Sequence, residues 1–154
     1  MDELQARPAP EGDRARGRRG AEHWVVLALV LAALFVEVWL GLRATPDARG
    51  YGTHEQLGLA ACRAIDWFGV PCPGCGVTTS VAHAARFDFA RSFLVQPFGL
   101  FVAAAIPLSA AWMLSVSWRG GDCAAALSRL STRWLLLCVG ALALFGWIWK
   151  WSSL

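Results

Sequence analysis

Three long apolar runs dominate the hydropathy pattern of the chain, and each approaches the roughly 20 residues that a helix needs to cross a bilayer. The pattern predicts transmembrane helices over residues 24–42, 98–118 and 134–151. The first run is longer than the apolar region of a cleaved signal peptide, about 7–15 residues, and a poor cleavage site follows it. Because proline has no N–H, Pro107 predicts a kink in the second helix, with Ser109 able to satisfy the freed carbonyl.

The segment between the first two runs, residues 43–97, mixes Gly, Pro, Thr and charged residues with short apolar stretches. Its parts 57–70 and 88–95 have the pattern of interfacial amphipathic helices. Residues 1–22 lack apolar periodicity and predict a disordered tail. We therefore expect an all-α membrane protein in which a single membrane domain, residues 23–154, carries an interfacial or re-entrant helical loop between its first two spans.

Composition supports a membrane location. The chain is 56% hydrophobic and 16% charged, which is more apolar side chain than a small soluble core buries. Its nine Trp residues against one Tyr suit the membrane–water interface. The net charge of +3 comes without a long basic run, so nucleic-acid binding is not expected. The expected partners are the lipid bilayer and, in addition, another membrane protein or a second copy of the chain.

Arginines near the predicted helix ends indicate an orientation. They are slightly more numerous on the side of the N-terminus, which predicts a cytoplasmic N-terminus. The loop 43–97 would then face outward, where thiols can oxidise.

The richest chemistry lies in residues 70–80, VPCPGCGVTTS, which we call the Cys box. Its Pro and Gly residues predict a turn, and a short helix follows. A hydroxyl side chain would cap that helix and place Cys75 near its N-terminus, where backbone N–H groups favour thiolate. The residues assigned to the turn and the cap are Pro73, Gly76, Thr78 and Thr79, with Ser80 as a further cap.

Three interpretations of Cys72 and Cys75 remain open. A CxxC turn is half of a zinc site, and a Cys₃His set is completed by Cys62 and His83, with His54 as an alternative ligand. The pair is also spaced as a redox dithiol, although the βαβ context of thioredoxin-type motifs is absent. In the third interpretation the cysteines are small packing residues in a structural turn.

Other residues give weaker signals. Glu37 lies inside the first apolar run, where an ionisable group is a functional candidate, but Arg43 is about two turns away and snorkelling towards the interface is favoured. Cys138 is expected to be a buried hydrophobe, and no partner is evident for Cys123. The chain has no nucleotide-binding loop and no Ser/His/Asp set. The working hypothesis is a non-enzymatic accessory module whose loop binds zinc; the alternative is a membrane thiol–disulfide oxidoreductase that uses Cys72 and Cys75.

The run PCPGCGVTTSVAHAARFDFARSFLVQPFG, with YGTHEQLGLAAC upstream, resembles a family of small bacterial membrane proteins known only as a domain of unknown function, DUF2752. The family signature is a Cys-Pro-x-Cys-Gly-x-Thr box. Family members often carry Asn-Pro where this chain has Gln96-Pro97. The resemblance implies a bacterial inner-membrane location and no reaction. The positions that match are Cys72, Pro73, Cys75, Gly76, Thr78, Thr79, His83 and Pro97.

Overall fold

A computed structural model describes residues 19–153, and every regular element in that range is helical. Helices α1 (Ala21–Arg43), α5 (Pro97–Trp118) and α7 (Thr132–Ser152) are each long and apolar enough to cross a membrane. They confirm the three predicted spans, with ends displaced by a few residues. Most of the predicted tail, residues 1–18, lies outside the described range, and Glu22, which was assigned to that tail, lies in the first turn of α1.

Short helices fill the connections between the spans. They are a 3₁₀ helix (Thr53–Leu57), α2 (Arg63–Phe68), α3 (Val77–Ala84), α4 (Phe89–Val95) and α6 (Cys123–Ser128). The amphipathic helix expected over 57–70 is interrupted. Gly58 and Gly69 adopt the left-handed conformation, with φ of +79° and +67°, and end the 3₁₀ helix and α2 respectively. The loop is therefore helical in short pieces.

Helix α3 lies at the centre of the loop and contacts α1, α4, α5 and the 3₁₀ helix. Its buried residues include Val81 and Ala82, which pack in one cluster with Leu40 of α1 and Ala103 of α5. Small side chains allow these backbones to approach closely. The loop thus packs into the bundle formed by the first two spans.

The two ends of the bundle are closed by different contacts. Where α1 begins, the fully buried His23 accepts a hydrogen bond at Nδ1 from the Cys123 N–H (3.0 Å). Its Nε2 lies 3.4 Å from Ser117 Oγ at the end of α5. The Cys123 thiol donates to the Met113 carbonyl, a partner that the sequence did not suggest. At the opposite end, the last turns of α7 contact the α1–α5 loop. The long helices therefore alternate in direction, as three crossings require.

Three side chains in the spans differ from expectation. Cys138 is exposed on α7 rather than buried, because much of that helix faces away from the bundle. Ser109 donates to the Ile106 carbonyl (2.8 Å) and not to the carbonyl freed by Pro107. Glu37 does not snorkel: its side chain is buried and its Oε2 has no hydrogen-bond partner.

Candidate metal centre

Three thiols meet at the loop end of the bundle. The Sγ atoms of Cys62, Cys72 and Cys75 all lie within 4.8 Å of one another. Cys75 Sγ is 3.3 Å from Cys62 Sγ and 3.6 Å from Cys72 Sγ, and all three cysteines are free thiols. Cys75 is buried, whereas the other two are partly exposed. We call this group the thiol triad.

The Cys box reaches this geometry through a tight turn and a glycine. The Cys75 N–H donates to the Cys72 carbonyl (2.9 Å), which closes the turn. Gly76 follows at φ +85°, a left-handed conformation that suits glycine. Helix α3 begins at Val77 directly after it. Cys62 joins from the other side, as the residue that precedes α2.

Helix α7 braces the Cys box from outside the loop. The Trp147 indole N–H donates to the Pro71 carbonyl (2.9 Å). The Lys150 ammonium donates to the Gly50 carbonyl (3.0 Å), with only 4% of Lys150 exposed. The Gly50 carbonyl also lies against Gly76. A Cβ on Gly76 would lie 2.8 Å from the Gly50 oxygen, so there is no room for a side chain at position 76.

Hydroxyl groups of the Cys box form a buried network rather than the predicted helix cap. The N-cap residue of α3 is Gly76, and no side chain caps the helix. Thr79 Oγ1 instead lies 2.8 Å from Thr53 Oγ1. Ser80 Oγ lies within hydrogen-bond distance of the carbonyl oxygens of Ser92 (2.8 Å) and Gln96 (2.9 Å). Thr79 and Ser80 were expected as caps, but their side chains are fully buried and fix α3 to its neighbours.

The predicted imidazole ligands lie elsewhere. His83 is near the far end of α3, about 9 Å along the helix axis from Val77 at 1.5 Å per residue. Its Nδ1 is 3.4 Å from Asp88 Oδ2. His54 Nε2 lies 3.1 Å from the Ala60 carbonyl. The structure therefore brings together three of the four residues proposed as metal ligands, and neither histidine belongs to the group.

The protonation of the triad is uneven. Burial raises the pKa of the Cys62 thiol, but hydrogen bonds from the Ile65 backbone N–H, the Cys75 thiol and Cys72 outweigh it and lower that pKa to about 7. Burial, followed by hydrogen bonding to the other two sulfurs, raises the pKa of Cys75 to about 12. One thiolate therefore forms near neutral pH within the cluster, stabilised by its neighbours.

The sulfur spacing suits a soft metal ion. Thiolates bind Zn²⁺ at about 2.3 Å, so the edge of a tetrahedral site is about 3.8 Å. Two distances in the triad, 3.3 and 3.6 Å, lie slightly below that edge, and the third is within 4.8 Å. A single ion can therefore contact all three sulfurs after shifts of up to about 1 Å. Three sulfurs leave one tetrahedral position for a ligand from solvent or from another molecule.

Sequence reasoning missed the residues that brace the triad. The Trp residues were assigned only to the membrane interface, and no contact was predicted for Lys150 or Gly50. One signal was present: Lys150 is a charged residue inside a Trp-rich apolar segment, and such a side chain usually has a partner.

Comparison with known proteins adds a family relationship. No curated protein and no solved structure matches the chain. The family described as "Protein of unknown function (DUF2752)" matches residues 62–110. The match begins at Cys62, includes all three cysteines of the triad and ends inside α5, so that α1 and α7 lie outside it. The segment of this membrane protein that carries the thiol triad is therefore similar to the DUF2752 family.

Proposed function

We propose that this protein is a membrane-embedded zinc-binding module whose metal ligands are Cys62, Cys72 and Cys75. The observation that supports it is the clustering of the three sulfurs at 3.3 and 3.6 Å. Two of these cysteines belong to one turn, whereas Cys62 is brought from ten residues upstream of Cys72. Bound zinc would hold all three as thiolates and join the Cys box to the start of α2, which adds folding free energy to the loop.

We propose a non-enzymatic accessory role for this site. Within the described residues the donor group of the triad contains thiols alone, and the two histidines predicted as ligands contact Asp88 and a backbone carbonyl instead. The group therefore offers a zinc ion neither an imidazole nor a carboxylate. Its open fourth position suits a ligand from a partner protein or a second copy of the chain. The N-terminus lies in the cytoplasm of a bacterium in this proposal, so the triad faces outward from the inner membrane.

The competing hypothesis is a membrane thiol–disulfide oxidoreductase. Cys75 is close to both other sulfurs, and either pair would have to approach to about 2.05 Å to form a disulfide. A buried thiol with a raised pKa is a poor attacking nucleophile, which disfavours Cys75 in that role. The low pKa of Cys62 serves metal binding equally well, because metals bind the thiolate.

Zinc content decides between the hypotheses. The full chain is purified in detergent under reducing conditions, and zinc is measured by elemental mass spectrometry against protein concentration. We expect about one zinc per chain. Single replacements Cys62→Ser, Cys72→Ser and Cys75→Ser should each remove most of it. The matched control is Cys138→Ser, an exposed cysteine on α7, which should retain the metal.

A second comparison tests the role of imidazole. His83→Ala should leave zinc content unchanged, because His83 lies outside the triad. Protease protection of the loop should fall about equally in the single cysteine variants and in the Cys72/Cys75 double variant, since one lost ligand removes most of the affinity. Zinc-free protein with a reversible Cys72–Cys75 disulfide would favour the oxidoreductase. Small, additive losses at each cysteine would leave a structural turn.

A further inference from the structure

The bundle contains a cavity that is separate from the triad. A cavity of about 900 Å³ opens between α1, α5 and the turn that joins α3 to α4. Its walls include Leu34, Val38, Leu100 and Leu108, so most of the surface is apolar. The volume lies in the range of ligand sites, roughly 300–1,000 Å³. The cavity is large enough for an acyl chain with part of its head group.

A buried acid lies in this apolar wall. Glu37 is 8% exposed, and its Oε2 has no hydrogen-bond partner. It precedes Arg43, the last residue of α1, by six residues, or about 9 Å along the helix. Desolvation of an unpaired carboxyl group is costly, and intramembrane acids generally have partners. Within residues 19–153 Glu37 forms no ion pair with a Lys, Arg or His side chain. Its partner is therefore expected to enter through the cavity.

The cavity has a second source of hydrogen-bond acceptors. Pro107 lines the wall, and because proline has no N–H it cannot donate to the carbonyl four residues earlier. That carbonyl belongs to Ala103, which also lines the wall, and Ser109 donates elsewhere. A ligand that offers several N–H donors to a carboxyl group and a carbonyl fits this chemistry better than one with a single hydroxyl group.

A positive charge lies on the same cavity. The exposed Arg86 lines it and uses one N–H to donate to the Ala82 carbonyl (3.2 Å). The neighbouring Ala85 packs against Gly41 of α1, which is one turn closer to the end of α1 than Glu37. Arg86, the next residue, therefore lies near the part of α1 that follows Glu37, where its remaining N–H groups can donate to a phosphate group.

We propose that this cavity binds a phospholipid with a primary ammonium head group, such as phosphatidylethanolamine. The ammonium donates to Glu37, the phosphate accepts from Arg86, and one acyl chain occupies the apolar wall. The charges of the cavity, one carboxylate and one guanidinium, complement the charges of this head group. A choline head group has the same net charge but no N–H donor, and it should be rejected.

Native mass spectrometry of the detergent-solubilised full chain tests the proposal. The protein is titrated with an equimolar mixture of phosphatidylethanolamine and phosphatidylcholine that carry identical acyl chains. We expect the ethanolamine lipid to be retained about tenfold better, the lower end of the preference expected for one charge-assisted hydrogen bond. Glu37→Gln should abolish the preference, and Glu37→Asp should keep part of it. Arg86→Gln should weaken retention of both lipids, because both carry the phosphate that Arg86 contacts. The matched controls are the exposed residues Glu22 and Arg43 of α1, each replaced by Gln, which should bind as the parent does.

Several outcomes overturn the proposal. Equal retention of the two lipids would do so, as would a preference that survives Glu37→Gln. A third is that Arg86 reaches into the cavity and neutralises Glu37 by itself. In that case the two single variants would be non-additive in unfolding free energy and neither would change lipid selection. If Glu37→Gln fails to fold, the competition in the parent chain and in Glu37→Asp still tests the lipid preference, and equal retention of both lipids by Arg86→Gln and the parent would remove the phosphate contact. Zinc content reports separately on the triad.

Discussion

Gly76 is the position where the geometry predicts the sharpest effect of a single methyl group. At φ +85° a residue other than glycine loses about 1–2 kcal/mol of unfolding free energy from strain alone. The new Cβ would also lie 2.8 Å from the Gly50 carbonyl oxygen and 3.4 Å from Lys150 Cε. Because a backbone atom is involved, the Gly50 segment must shift and weaken its hydrogen bond with Lys150.

The expected cost of Gly76→Ala is the sum of these two effects. A hydrogen bond to a charged group contributes about 1.5–3 kcal/mol, so the total is about 2.5–5 kcal/mol if that bond is lost. Gly58→Ala is the matched control, since Gly58 has φ +79° and a Cβ added there would have open space within 4 Å. It should cost about 1–2 kcal/mol, the strain alone.

The assay is unfolding by SDS in mixed detergent micelles, followed by far-UV circular dichroism, with zinc affinity measured by chelator competition. Gly76→Ala should also weaken zinc binding, because Gly76 directly follows Cys75, whereas Gly58→Ala should not. Equal destabilisation by the two replacements would refute the role assigned to the Gly50–Lys150 contact. Unchanged zinc affinity in Gly76→Ala would show that the brace and the triad are independent.

Three further expectations concern α7, the topology and the thiols. A Cβ on Gly146 would lie 2.8 Å from Gln96 Oε1, while Gly140 of the same helix has open space. In SDS unfolding, Gly146→Ala should therefore lower the unfolding free energy. Gly140→Ala should raise it by up to about 1 kcal/mol. Reporter fusions should place the N-terminus in the cytoplasm and a fusion after Leu154 outside; both on one side would exclude three spans. In zinc-free protein, alkylation of Cys62 should be half-maximal near pH 7, since its pKa is lowered to about 7 and thiolate forms as the pH rises; a midpoint near 9 would contradict the cluster.

The spans were predictable because the bilayer imposes one strong requirement, an apolar run of sufficient length. The Cys72–Cys75 turn was also predictable, since its residues are neighbours in sequence and Pro and Gly restrict the backbone between them. The inclusion of Cys62 in the triad followed from counting available thiols. His83 was chosen as the fourth ligand by its spacing in the sequence. Because α3 is continuous from Val77, it carries the His83 imidazole about two turns away from the sulfurs.

Other features depend on contacts between distant parts of the chain. Thr79 and Ser80 were expected to cap a helix, as hydroxyl residues often do, but burial against Thr53 and Ser92 gives them tertiary partners. Glu37 was expected to snorkel because Arg43 marks the membrane surface. In the structure its side chain is buried and lines the cavity between α1, α5 and the turn after α3, and no local sequence pattern encodes that arrangement.

The bracing of the Cys box by α7 has a consequence for the order of biosynthesis. Trp147 and Lys150 contact Pro71 and Gly50, so ribosomes finish the thiol-bearing loop well before the helix that supports it. A nascent chain would expose three thiols on the membrane surface until α7 inserts. A metal ion that binds before α7 inserts would meet three cysteines without the contacts of Trp147 and Lys150. A metal ion that binds afterwards would meet cysteines held by those contacts. The timing of α7 insertion thus separates a vulnerable, oxidisable intermediate from the finished site.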